Sequence, residues 1–231
     1  MTWSRTSSSV AAAGATCQVG PSPTARAIRL ENVRARDRAA LDALLGAIPE
    51  APPWDASVDP SDPVAPLLRD AGFEEYARTF AVSRAIDGLP PGDATPGIRL
   101  LTYTNAMAPR YSVAEAAAMA DLATFGEMGS PTGYERGEGY GEFTVALRGE
   151  RIVGFCFAQL PEGIIWWLGV VPPERRVGIG RMLVDSVARA VRASGGTHLL
   201  AEPEDTPDAR GFAHALGFRD RGLRELLIRR A

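Results

Sequence analysis

Cysteine is scarce: Cys17 and Cys156 are the only two in 231 residues. Two thiols cannot supply a disulfide framework, so a reduced, cytoplasmic setting is the simplest expectation. Histidine is equally scarce, and neither His198 nor His214 has ligand-like company, so no metal centre is expected. No run approaches the roughly 20 apolar residues that span a bilayer, which argues against a membrane partner. An excess of basic charge is missing too. With 25 basic and 28 acidic residues the formal charge is −3, so there is no global positive field for nucleic acid. The remaining composition, 45% hydrophobic and 23% charged, is that of a globular protein.

The first 25 residues are dominated by Ser, Ala, Gly and Pro. Their apolar patch, Val10 to Ala13, is too short and weak for a signal peptide, and the segment reads as a disordered tail. Residues 26–88 read as a small α/β region. It has a strand at Arg26 to Val33 and a helix at Asp37 to Ile48 with Leu41, Leu44, Leu45 and Ile48 at helical spacing. A short helix ended by Gly72 and an alternating strand, YARTFAVSRAI, complete it. LPPGDATPG, residues 89–97, cannot continue a helix or a central strand and is read as a linker.

Residues 98–231 read as the main domain. IRLLTYTNA is a strand, VAEAAAMADLATFGEM a helix, and EFTVALRGERIVGFCFAQL two strands turning at Arg148-Gly149-Glu150. Gly163 to Val171 is a nearly all-apolar strand, Arg181 to Ala193 a helix, THLLAE a strand, ARGFAHAL a helix and LRELLIRR a final strand. The order predicts an α/β fold around a mixed sheet. Pro53 to Phe73 also lies without gaps on His198 to Phe218, each running from an extended piece through an acidic turn and a short helix to Gly-Phe. That spacing suggests a decayed or truncated repeat of the second half of the main domain.

The segment ERRVGIGRML, Glu174 to Leu183, joins a buried strand to a helix. The first amides of a helix have no internal partner, and the helix dipole adds about half a positive charge there. Gly178 and Gly180 remove Cβ atoms from that approach, and Arg175, Arg176 and Arg181 add charge. The combination suits a phosphate or pyrophosphate. No Gly-Lys-Ser/Thr follows, so the segment is not a Walker A loop, and the third glycine of a dinucleotide fingerprint is missing.

LGVVPPERRVGIGRMLVDSVARAVRASGG resembles motif A of the GNAT family, the Gcn5-related N-acetyltransferases. Arg175, Gly178 and Gly180 fill its Gln/Arg-x-x-Gly-x-Gly/Ala pattern after Val170 and Pro172. ARGFAHALGF is similar to motif B, and the element order from Ile98 onward matches. The resemblance implies a mixed, mostly antiparallel central sheet flanked by helices, with acetyl-CoA as co-substrate and no metal. The pyrophosphate would sit on the amides of Arg176, Val177, Gly178, Ile179, Gly180 and Arg181, and the pantetheine arm would pair beside Leu168, Gly169 and Val170. A small-molecule or peptide amine would then attack the thioester directly. The segment GFEEYARTFAVSRA further resembles the end of such a domain in tandem members of the family.

The catalytic residues follow the pattern less well. Ala213 stands where many members carry a Tyr acid, and Thr206 or a neighbour replaces a common Asn. Tyr140, or Tyr134, in the Gly-rich loop is the alternative acid. Glu202 is the first candidate base, with Glu142 and Glu162 behind it. Of Trp166 and Trp167, at most one can face an acceptor, because adjacent strand residues point to opposite sides. The rival readings are a non-catalytic acyl-CoA-binding or regulatory module on the same fold, and a partner-binding protein whose N-terminal region forms a homodimer surface.

Overall fold

The computed structural model describes residues 8–21, 27–49, 51–87, 95–122 and 141–230. In chain order the elements are β1 (Ser8–Ala12), β2 (Ala15–Pro21), β3 (Ile28–Arg34), α1 (Arg38–Gly46), β4 (Trp54–Val58), α2 (Val64–Asp70), β5 (Glu74–Ala85), β6 (Ile98–Thr102), α3 (Ala108–Met119), β7 (Gly141–Arg148), β8 (Arg151–Gln159), β9 (Ile164–Val170), α4 (Ile179–Ala193), β10 (His198–Ala201), α5 (Pro207–Ala215) and β11 (Arg219–Arg229). They gather into two compact units. One takes the described residues up to Phe80 together with β11 from Gly222 onward; the other takes those from Ala81 to Arg221.

The first unit begins where a disordered tail was expected. β1 and β2 form a hairpin in which Ser8 opposes Val19 and Ala12 opposes Ala15. Its two-residue turn, Ala13-Gly14, has both residues at positive φ (49° and 81°), the combination that suits the twist of a tight hairpin. Ala15, Cys17 and Val19 alternate into the core, where Leu41 and Leu44 of α1 and Leu68 of α2 are fully buried. The alternation is carried by small residues, which is why the segment looked featureless in the sequence. The sheet runs β1-β2-β3-β4-β11. The pairs are antiparallel except β3 with β4, where Ile28 opposes Trp54, Arg29 opposes Asp55 and Leu30 opposes Ala56.

The second unit repeats this plan. β7-β8-β9-β10 are joined like β1-β2-β3-β4, with β9 and β10 parallel, and the C-terminal part of β5 closes the far side of β10. β6 is added beside β7. A helix crosses over between the parallel strands in both units, α1 in one and α4 in the other, and a shorter helix follows each parallel pair. Each unit carries a register irregularity on its third strand, between Glu31 and Arg34 of β3 and at Trp166 of β9. The division between units falls inside β5 rather than at 89–97, most of which lies outside the described residues, and β11 from Gly222 belongs with the first unit. Both differences have one cause. The open edge of each parallel pair is closed by a strand that arrives from elsewhere in the chain.

In the second unit α3 and α4 cover opposite faces of the sheet. Tyr111 of α3 is buried and meets Phe143 and Phe155 edge-on, at centroid distances of 5.2 and 5.1 Å. On the other face, a Cβ on Gly154 would stand 3.1 Å from both Ile179 and Leu183, so the glycine lets α4 lie close on β8. α4 buries Ile179, Leu183, Val187 and Val191. Full burial of such side chains contributes about 1.5–3 kcal/mol each. Both thiols are buried, and burial pushes the Cys156 pKa up.

Arg29 and Asp55 face each other across the parallel pair of the first unit as a buried ion pair, and the Tyr76 hydroxyl donates to Asp55 at 3.3 Å. Removing one partner of such a pair strands the other charge, which typically costs 3–5 kcal/mol. Asp55→Ala should therefore lower the unfolding free energy in a urea titration by about 3 kcal/mol, and Arg29→Met with Asp55→Leu should recover most of the loss. A decrease below about 1 kcal/mol would show that the pair is not desolvated.

Candidate functional site

β9 is registered along β8 over its length, but against β10 only at Ile164 and Ile165, which oppose Leu200 and Ala201. Leu168, Gly169 and Val170 therefore lie beyond the pairing with β10, which ends at Ala201. Phe155 explains Gly169, since a Cβ there would stand 2.5 Å from its ring.

The chain leaves β9 through a 3-10 turn at Pro172–Glu174 and enters α4 through Arg175, Arg176, Val177 and Gly178. Arg176 and Gly178 have positive φ, 66° and 92°. The first helical hydrogen bond runs from the Met182 amide to the Gly178 carbonyl, at 3.1 Å. Gly178 is the N-cap and offers no side chain to the helix. Among the described residues, none of the amides of Arg176, Val177, Gly178, Ile179, Gly180 and Arg181 donates a hydrogen bond. The corresponding helix of the first unit differs. Asp37 caps α1, its carboxylate accepting from the Ala40 amide at 2.8 Å.

The arginines of the loop divide their roles. Arg175 is turned into the fold: its Nε donates to the Val170 carbonyl at 3.0 Å and an Nη to the Ala118 carbonyl at 3.1 Å. Arg176 is exposed and pairs with Asp208, at the start of α5, at 2.6 Å. Arg181 donates to the Ala215 carbonyl at 3.3 Å. Arg84 lies near it, and burial lowers the pKa of the Arg84 guanidinium; Arg181 adds to that shift and Asp185 opposes it.

The two glycines have separate reasons. Gly178 takes a left-handed conformation that L residues rarely adopt, so a bulky residue there strains the backbone and is not a clean probe of ligand binding. Gly180 makes room for a neighbour: a Cβ would lie 2.9 Å from the ring of Phe212 on α5. In the sequence both glycines fit the approach of a phosphate. The helix contact, which depends on α5 folding back over α4, was not visible there.

The other candidates are dispersed. Glu202 directly follows β10 and is exposed. Tyr140 and Tyr134 lie outside the described residues. Glu142, on β7, accepts from the Thr102 and Thr144 hydroxyls at 3.4 and 3.3 Å, and Glu162 is exposed in the turn before β9. His198 contacts Thr197 and His214 contacts Asp220, both at the surface. Ala213 is buried. Trp166 donates its indole N–H to Gln159 at 3.1 Å, whereas Trp167 is buried and its N–H finds no acceptor among the described residues. In the acidic turn after β10, Asp205 pairs with Arg210 and Asp208 with Arg176. No group of His, Cys, Asp or Glu that could hold a metal ion occurs among the described residues, and no described helix is long and apolar enough to cross a membrane.

The site thus combines a parallel strand pair with a crossover helix whose first amides are uncapped. Residues 107–218 match the model of the Acetyltransferase (GNAT) family, so the chain carries a GNAT-family acetyltransferase domain. No curated protein matches the sequence. The fold is shared with solved structures at low identity. A GCN5-related N-acetyltransferase from Kribbella flavida is 16% identical, with a TM-score of 0.68 over 97% of this chain and 90% of that one. One from Sphaerobacter thermophilus is 20% identical, with a TM-score of 0.66 over 94% and 76%. A tandem GNAT protein from the clavulanic acid biosynthesis pathway is 17% identical, with a TM-score of 0.62 over 94% and 78%.

The packing role of Gly180 can be separated from any ligand. Gly180→Val should destabilise the protein by about 1–3 kcal/mol through overpacking against Phe212. Adding Phe212→Ala should return part of that loss in a double-mutant cycle of chemical denaturation. Purely additive effects would mean that the ring is not what excludes a side chain at position 180.

Proposed function

We propose that the chain is an acetyl-CoA-dependent N-acetyltransferase acting on a primary amine of a small molecule or peptide. The row of undonated amides from Arg176 to Arg181, within the GNAT-family domain, carries the reading. In it, those amides bind the pyrophosphate, with the α4 dipole favouring the charge. β9 runs on past its pairing with β10, and there Leu168, Gly169 and Val170 offer a backbone edge for the pantetheine arm. The amine nitrogen attacks the thioester carbonyl, the C–S bond breaks, and the thiolate leaves to be protonated. A backbone N–H near Val170 stabilises the developing oxyanion. Glu202, at the end of β10, takes the proton from the amine directly or through water, and Tyr140 is the candidate acid. The first unit serves as a non-binding companion, because Asp37 already occupies the helix terminus that would receive a phosphate. The setting of the reading is cytoplasmic.

The buried Ala213 supports a second reading, a module that binds acyl-CoA without transferring the group, since no acid is available at that helix position. One feature makes the two easy to separate. All 25 basic residues are arginine, so the chain has no side-chain amine of its own to trap acetyl groups.

Thermal unfolding with acetyl-CoA, CoA and ATP tests the assignment. A ligand at a hundredfold over its Kd adds about 2.7 kcal/mol of stability, so both CoA species should raise Tm while ATP leaves it in place. Titration calorimetry should return one CoA site per chain. No shift with either CoA species would sink the assignment, two sites would refute the role given to Asp37, and binding without turnover across a broad amine panel would favour the second reading.

A further inference from the structure

Thr95 lies just before β6, three residues ahead of Ile98, and all its polar groups are used. Its hydroxyl donates to the Val177 carbonyl at 2.8 Å, its amide meets Met182 Sδ at 3.2 Å, and its carbonyl accepts from the Ile98 amide at 3.1 Å. Val177 immediately precedes Gly178, and Met182 donates the first helical bond to it, so Thr95 grips the chain on both sides of that glycine. A Cβ on Gly178 would stand 3.0 Å from the Thr95 hydroxyl oxygen. A second grip follows one residue on. Arg148 donates to the Pro96 carbonyl at 3.5 Å and holds the Glu174 carboxylate with two nitrogens at 2.8 to 3.0 Å. Residues 95 and 96 are thus tied to the loop at Val177 directly and at Glu174 through Arg148.

Peptide geometry gives the first contact a consequence. The Val177 carbonyl and the Gly178 amide belong to one planar, trans peptide and point in opposite directions. Fixing the carbonyl toward Thr95 fixes the Gly178 N–H away from it, among the amides that donate to nothing in the described structure. A glycine beside that peptide would otherwise let the plane rotate freely.

We propose that Thr95 is a positioning residue for the loop between β9 and α4: its hydroxyl presets the Val177–Gly178 peptide so that the loop amides face a phosphate before one arrives. The phosphate half of this inference rests on the function proposed above; the presetting of the peptide does not.

The test uses the full chain as wild type, Thr95→Val, which replaces the hydroxyl by a methyl of similar size, and Thr95→Ser, which keeps it. Hydrogen–deuterium exchange without ligand reads the loop at its hydrogen-bonded amides, Glu174, Arg175 and Met182, and titration calorimetry reads the Kd for CoA. Thr95→Val should speed exchange in the loop while the amides of β8 and the later turns of α4 stay unchanged, and it should weaken CoA binding by about fivefold, the value of one ordinary hydrogen bond. Thr95→Ser should match wild type in both. Loop exchange in Thr95→Val equal to wild type would overturn the proposal. So would faster exchange with an unchanged Kd, because the loop would then be held but not positioned. Faster exchange in Thr95→Val with no CoA binding by the wild type would remove the CoA reading and leave the presetting of the peptide standing. If Thr95→Val fails to fold, Thr95→Ala takes its place with the same readouts.

Discussion

A parallel pair of strands cannot be joined by a tight turn, and much of this structure follows from that constraint. The chain must cross over between the two strands, and here the crossover is a helix in both units: α1 between β3 and β4, α4 between β9 and β10. A crossover helix necessarily starts near the end of the strand that feeds it. Its first amides, without helical partners, are therefore delivered to the end of the parallel pair. Local chemistry then decides what happens to them.

The two units decide differently. In the first, Asp37 caps the helix, and a buried Arg29–Asp55 pair sits across the parallel strands. In the second, Gly178 caps the helix with no side chain, the pair equivalent to Arg29–Asp55 is Ile164–Leu200, and the amides from Arg176 to Arg181 are left undonated. One topology thus yields a capped helix terminus in one case and an uncapped one in the other. The difference lies in a few side chains rather than in the path of the backbone.

The loop of the second unit is also more constrained than a glycine-rich sequence suggests. Arg175 binds the Val170 and Ala118 carbonyls, Glu174 is held by Arg148, and Gly180 is pressed by Phe212. Arg176, the most exposed of its arginines, is already paired with Asp208. A rigid frame around a row of free donors is the arrangement expected where ligand binding must not spend free energy on ordering the site.

Local pattern was enough for much of this. The helical spacing of Leu41, Leu44 and Leu45, the turn at Gly149, and the strand-to-helix passage through Gly178 can all be read within a few residues of sequence, because periodicity and turn chemistry act at short range. The motif A loop and the gapless match of Pro53–Phe73 to His198–Phe218 were visible for the same reason, and the two segments occupy corresponding places in the two units. What tertiary structure alone decided was partnership. The β1–β2 hairpin is stabilised by small residues whose burial depends on α1 and α2, β11 pairs with β4 instead of remaining in the domain it ends, and Thr95 finds Val177 at a separation of 82 residues. Such contacts join residues far apart in the chain, and no local propensity records which distant group will close an open edge or accept a hydrogen bond.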